Sequence, residues 1–245
     1  MRIAICFFGI TRSLKYTINH INKHIFNVFK QNNIEYDTYV HTYYLERYFN
    51  RRAGERLNKV DNNEYKMLKP DYLQIDNQND ILKKLDVKQY RTHRDPWTSG
   101  YNCVDNFILA QYSKLQLVKM IKKGGKQYDY ILYMRPDCDY LHPFILSYFD
   151  NVDDNTICIP NFHNIGPHKF NDRFCINNMN TYKLYGNVFH ELLDISRIKP
   201  LHSETVLGEL MVEKYNLNIK RVLFNFIRVR CNGQVPRLDI RLLKK

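Results

Sequence analysis

Along this chain apolar residues gather in short unbroken blocks, with polar stretches and helical periods between them. Ile3 to Phe8 is continuously apolar and stops at Gly9; Tyr130 to Met134 is apolar or aromatic throughout and stops at Arg135-Pro136. Blocks of this length closed by turn residues predict strands buried on both faces. Proline donates no backbone hydrogen bond, so the second block ends as a strand where the proline stands. Beyond Gly9, Ser13 predicts the cap of a helix whose apolar stripe is Ile18, Ile21, Ile25 and Val28. Tyr36 to Thr42 predicts the next strand, and strand–helix–strand opens a parallel α/β sheet.

The rest follows the same grammar. Residues 46 to 70 are polar with no clear period and predict a surface excursion, partly helical. Tyr72 to Ile75 predicts a short strand and Ile81 to Leu85 a short helix. Lys88 to Gly100 is a loop holding the only tryptophan, Trp97, either as a lid or as an anchor of the loop on the core. Asn102 to Lys122 predicts the longest helix, with Val104, Ile108, Gln111, Leu115 and Val118 as its stripe and Gly124-Gly125 as its end. Gln111 is polar within that stripe: it either faces a site or is a satisfied buried amide. Later elements are a short helix over Pro143 to Tyr148, a strand over Thr156 to Pro160, a strand over Asn171 to Ile176, a helix from Asn178 to Asp194, a helix capped by Ser203, and two short strands within Asn218 to Arg230. RLLKK is a basic tail. No repeat, low-complexity tract or linker interrupts the chain, so one domain over 1–245 is expected.

Composition narrows the class. With 245 residues, 44% of them hydrophobic, the chain can bury a large core. A formal charge of +12 suits an anionic partner without choosing among nucleotides, nucleic acid and a membrane surface. Six cysteines, none in C-x-x-C spacing and several inside apolar runs, are expected to be reduced core thiols in a reducing compartment. The opening MRIAICFFG is too short to span a bilayer and lacks a small-residue cleavage site, so it is expected to be the first core strand. No other segment is long enough to be transmembrane.

Chemistry concentrates behind the Tyr130–Met134 strand. Asp137 and Asp139 are two residues apart, and in an extended segment both carboxylates point the same way. The carboxyl end of a buried strand is where open α/β sheets bind ligands. Two ionised carboxylates repel, and a hard divalent cation, Mg²⁺ or Mn²⁺, resolves the repulsion; otherwise they are surface acids of a solvated turn. Gly9 and Arg12, between the first strand and helix, can approach a phosphate with backbone N–H and guanidinium donors, or form an ordinary connection with a surface arginine. Glu204 falls in the first turn of a helix, where the dipole favours a carboxylate.

Several stretches together resemble one family. YDTYVHTYY, AQYSKLQLVKMI followed by YDYILYMRPDCDY, NDRFCINNMNTYKLY and HSETVLGELM resemble, in order across residues 2 to 215, the elements of small nucleotide-sugar glycosyltransferases of the GT-A fold. The likeness is to the single-domain enzymes of polysaccharide clusters and large DNA viruses. Asn177 stands where a glycine is usual and Tyr43-Tyr44 where tryptophan is common; the last thirty residues resemble nothing in the family.

The resemblance implies a GT-A (Rossmann-like), mixed, mostly parallel sheet flanked by helices, with a nucleotide-binding half over about 1–140 and an acceptor half over about 141–245. It implies transfer of a sugar from a nucleoside-diphosphate sugar, UDP favoured, to a glycan hydroxyl, with inversion, although the sequence leaves retention open. Asp137 and Asp139 would hold Mn²⁺ or Mg²⁺, with His202 as third ligand. Gly9, Arg12, His41 and Thr42 would border the nucleotide, with Gln111 and Arg135 nearby. Glu204 would be the general base and Asp172 a second candidate. A cytoplasmic location, in the host if the protein is viral, goes with the reduced cysteines, and no nucleic acid is required. The alternatives are a nucleotidyltransferase or nucleic-acid-binding protein, and a GT-A-like binding module without catalysis.

Overall fold

The computed structural model describes residues 1–243, without the side chains at 57 and 58. The strands are β1 (Arg2–Phe8), β2 (Glu35–Tyr44), β3 (Arg47–Asn50), β4 (Glu55–Lys59), β5 (Tyr72–Asn77), β6 (Tyr130–Met134), β7 (Cys138–Tyr140), β8 (Thr156–Pro160), β9 (Phe174–Asn177), β10 (Asn218–Val222) and β11 (Phe226–Arg228). Seven of them form one sheet in the order β10-β8-β9-β6-β1-β2-β5. The pairs β6–β1, β1–β2, β2–β5 and β10–β8 are parallel, and β9 runs antiparallel between β6 and β8. The sheet is therefore mixed and mostly parallel, as expected, with β6 at its centre.

The unbroken apolar blocks become strands because each face of the sheet has its own core. Ala4, Cys6 and Phe8 of β1 join Ile131 and Tyr133 of β6 on one face, while Ile3, Ile5 and Phe7 join Leu132 and Met134 on the other. Alternation of side chains sends successive residues to opposite layers, so both layers must be apolar. The first layer is closed by the long helix α4 (Asn102–Gly124), where Val104, Ile108, Leu115 and Val118 are buried as its stripe requires. Gly125, at φ 63°, ends it in the left-handed conformation that suits glycine. The second layer is closed by α1 (Leu14–Ile21), which runs through a π-helical turn at Asn22–Phe26 into α2 (Asn27–Gln31). The remaining helices are α3 (Gln78–Lys84), which precedes α4 in the chain, and α5 (Tyr182–Gly186), α6 (Leu192–Ile198), α7 (Ser203–Glu209) and α8 (Arg237–Leu243).

Several expectations are corrected. The polar excursion at 46–70 is a hairpin of β3 and β4 followed by a 3₁₀ turn at Glu64–Leu68, not a loose helical stretch. Tyr48 and Asn50 point inward from β3, which short polar segments do not advertise. Helix 178–194 breaks into α5, a 3₁₀ turn at Val188–Glu191 and α6. The helix over 143–148 is a later 3₁₀ turn, Leu146–Asn151. The cap of α7 is His202 and not Ser203, and Ser13 caps α1 without a side-chain hydrogen bond. The basic tail supplies the last three residues of α8, Arg241 to Leu243; its residues 244 and 245 lie outside the described residues. All six cysteines are free, and five are buried.

Candidate functional site

Strands β1 and β6 are parallel neighbours, so their carboxyl ends open on the same side of the sheet. A cavity of about 300 Å³ lies there, and a smaller one of about 70 Å³ adjoins it along Gly9, Arg12, Arg135 and Asp137. Six arginines line the larger cavity, Arg12, Arg52, Arg135, Arg173, Arg228 and Arg230, against the two carboxylates Asp172 and Glu204. Three distant parts of the chain supply them: the β1–α1 turn and β3–β4 hairpin, the ends of β6 and β9, and the segment after β10.

The turn after β6 does not present Asp137 and Asp139 together. Asp137 is 2% exposed and sits in the turn before β7. Arg135 donates to it through Nε, at 2.8 Å, and through Nη2, while Arg12 Nη2 donates at 3.2 Å. Burial pushes this carboxyl up, but Arg135 and Arg12 outweigh it and hold it well below the usual carboxylate range. Asp139 lies within β7, paired in register with Ile227 of β11, and its carboxylate meets the His20 ring of α1 at 2.6 Å. Burial lifts that carboxyl above its ordinary range, with His20 opposing. Asp139 borders neither cavity.

His202 is elsewhere again. It lines the larger cavity but stacks on Trp97, ring centroids 5.0 Å apart, and shares a hydrogen bond with Thr205 Oγ1. Among the described residues no three His, Cys, Asp or Glu side chains group closely enough to hold a metal ion. The expected set Asp137, Asp139 and His202 therefore does not fit a divalent cation: the oxygens of Asp137 are taken by guanidinium donors, Asp139 belongs to His20, and the surrounding charge is positive. The extended-strand argument failed because a turn separates Asp137 from β7.

The expected base is inside the cavity. Glu204 stands in the first turn of α7, 3% exposed, and accepts from Ser203 Oγ and, at 3.2 Å, from Arg173 Nη2. Arg173 also lies 3.0 Å from Asp172, so one guanidinium joins the two candidate bases. Burial pushes Asp172 up; Arg173, Arg135 and Lys114 outweigh it and hold it below the usual range. Lys114, on α4 behind this pair, is fully buried, with Nζ 3.8 Å from the centre of the Tyr185 ring. Its ammonium has no hydrogen-bond partner among the described residues, and burial pushes its pKa down to about 7.

The other expected residues divide. Gly9, Arg12 and Arg135 border the cavities. His41 is sealed in the core, Nδ1 on Ser113 Oγ at 2.8 Å and Nε2 on Asp76 at 3.1 Å, and Ser113 also takes the Gly9 N–H at 2.9 Å. Thr42 and Gln111 are buried too, and neither lines either cavity; each leaves a side-chain oxygen without a partner among the described residues. Trp97 forms part of the cavity wall, in a loop whose turn is tied by Asp95 accepting from the N–H groups of Trp97, Ser99 and Tyr101.

No family model matches the chain, and no curated protein matches it. Solved structures share part of its course. A galactosyltransferase LgtC in complex with donor and acceptor sugar analogues aligns over 86% of this chain and 70% of its own, at 10% identity and a TM-score of 0.46. Mouse xyloside xylosyltransferase 1 aligns over 91% and 85%, at 11% identity and a TM-score of 0.42. The glycosyltransferase GlyE of Streptococcus pneumoniae aligns over 90% and 45%, at 10% identity and a TM-score of 0.41. The chemistry rests on this chain's own side chains.

Sequence reading missed Arg52, Arg173, Arg228 and Arg230. The last two carried a readable signal: in F-I-R-V-R the arginines are two apart in an extended stretch, on one face, with Val229 buried between them.

Proposed function

We propose that this protein transfers a sugar from a nucleoside-diphosphate sugar to a hydroxyl of a glycan acceptor. The observation that carries the reading is the union, in one cavity at the carboxyl ends of β1 and β6, of an arginine wall with a buried carboxylate, Glu204. Arginine forks match phosphate oxygens, and a fixed carboxylate beside them can take a proton. The ordered motifs from YDTYVHTYY to HSETVLGELM support the same reading.

In this mechanism the donor diphosphate lies over Gly9, Arg12 and Arg135, within residues 1–140, and the acceptor enters along Trp97, Asp172 and Glu204. Glu204 accepts the proton of the acceptor hydroxyl as its oxygen bonds to the anomeric carbon. The bond from that carbon to the diphosphate oxygen breaks, and its electron pair leaves with the nucleoside diphosphate. Attack opposite the leaving group inverts the centre. Arg173 fixes Glu204 and Asp172 relative to each other, which is positioning rather than proton transfer. Uridine is the favoured base of the donor, as the resemblance implies.

A screen of nucleoside-diphosphate sugars by thermal shift, followed by product analysis with glycan acceptors, tests the proposal. Stabilisation by at least one donor and transfer of its sugar are expected. Absence of binding across uridine, guanosine, cytidine and thymidine donors would remove it.

A further inference from the structure

The cation expected at this site finds no ligand set among the described residues, yet a departing diphosphate still needs positive charge. The segment after β10 supplies it. Strand β11 pairs antiparallel with β7, setting Arg228 opposite Cys138, and the Val229 N–H donates to the Asp137 carbonyl at 2.8 Å. That pairing lays Arg228 and Arg230 over the turn that carries Arg135 and Asp137, where all three arginines line the cavity.

These arginines differ in their commitments. Arg228 is bound by Asp239 of α8, through Nε at 3.0 Å and Nη2 at 2.6 Å, and Asp239 is held in turn by His163 at 2.9 Å. Arg135 is turned onto Asp137. The Arg230 guanidinium makes no hydrogen bond among the described residues; its one ionic contact is Glu55, at 3.8 Å. Burial lowers its pKa, and the neighbouring Arg228 and Arg12 lower it further, with Glu55 and Asp137 opposing. A guanidinium held only by one long ionic contact, beside two others at a cavity, is a receptor for a phosphate group, with planar donors suited to two oxygens at once.

We infer that Arg230, backed by Arg228 and Arg135, binds the diphosphate of the donor and neutralises the leaving group without a divalent cation. This rests on the nucleotide-sugar reading above. The C-terminal segment, outside the stretch that resembles any family, thereby completes the site.

The test is calorimetric titration of the full chain with uridine, guanosine and cytidine diphosphates and with inorganic pyrophosphate, in EDTA and again in Mn²⁺. Wild type is expected to bind a nucleoside diphosphate in EDTA as well as in Mn²⁺. Arg230→Gln should weaken it about tenfold to hundredfold, the range for a charge-assisted hydrogen bond, and Arg230→Lys should recover part. The circular dichroism spectrum of each variant checks its fold, and the wild-type comparison of EDTA with Mn²⁺ needs no variant. Binding that requires Mn²⁺, or that is unchanged in a folded Arg230→Gln, overturns the inference and leaves the nucleotide reading standing. Pyrophosphate bound in EDTA and weakened in Arg230→Gln, with no nucleoside diphosphate bound, keeps the arginine site and removes the nucleotide. Binding of neither ligand removes both.

Discussion

The guanidinium of Arg12 lies 3.2 Å from a carboxylate oxygen of Asp137, across 125 residues of sequence. The contact joins the turn after β1 to the turn after β6, both at the edge of the cavity. Arg135 grips the same carboxylate from two positions away, so Asp137 is the counter-ion that lets guanidinium groups from two turns meet.

Removing that counter-ion should cost stability first. Asp137→Asn leaves Arg12 and Arg135 facing each other with little exposure to water, and breaking a buried pair in this way costs about 3–5 kcal/mol. Asp139→Asn, whose partner His20 is 44% exposed, should cost about 1 kcal/mol or less. Urea denaturation measures both. An Asp137 variant as stable as wild type would undo the counter-ion role.

Glu204→Gln should keep nucleotide affinity and lose turnover by about 10²- to 10⁴-fold, the usual contribution of a positioned general base. Donor titration and initial-rate measurements separate the two effects. A fully active variant would transfer the role to Asp172, the other carboxylate paired with Arg173.

Lys114 gives the fold a pH dependence of known sign. Its pKa is pushed down to about 7 in the folded protein, against about 10.4 in the unfolded chain. Between those values the unfolded chain binds the extra proton, so this group makes stability rise with pH across the window and leaves it lowest below about pH 7. Lys114→Met should remove that slope and raise stability near pH 6 by on the order of a few kcal/mol, part of which the lost contact with the Tyr185 ring offsets. Urea midpoints at about pH 6, 8 and 10 compare the variant with wild type. Parallel profiles would show that the lysine is not the titrating group.

Gly186 marks where α5 meets α4 and the central strand. A methyl group there would run into Val118 and the Tyr133 hydroxyl. Gly186→Ala should therefore lose about 1–3 kcal/mol, as overpacked cores do, with the thermal midpoint as readout. An unshifted midpoint would mean that the two helices separate without cost.

The sheet was legible in the chain because burial on both faces demands unbroken apolar strands, and Ile3–Phe8 and Tyr130–Met134 are such strands. The length and end of α4 were legible for a similar local reason: a helical stripe followed by a glycine able to adopt positive φ. Glu204 was legible as a cavity residue only through its motif, since its own neighbourhood explains it equally well as a helix-start carboxylate.

Which charges face which was decided by the tertiary structure alone. Asp137 and Asp139 are two apart in sequence, but a turn intervenes and sends one to Arg12 and Arg135 and the other to His20. Arg12, Glu55 and Arg230 are far apart in sequence and meet because β11 pairs with β7 and the β3–β4 hairpin folds inward. Periodicity reports only whether a residue faces the core. Coulombic partners are chosen by strand pairing between distant segments, and no local pattern encodes that choice.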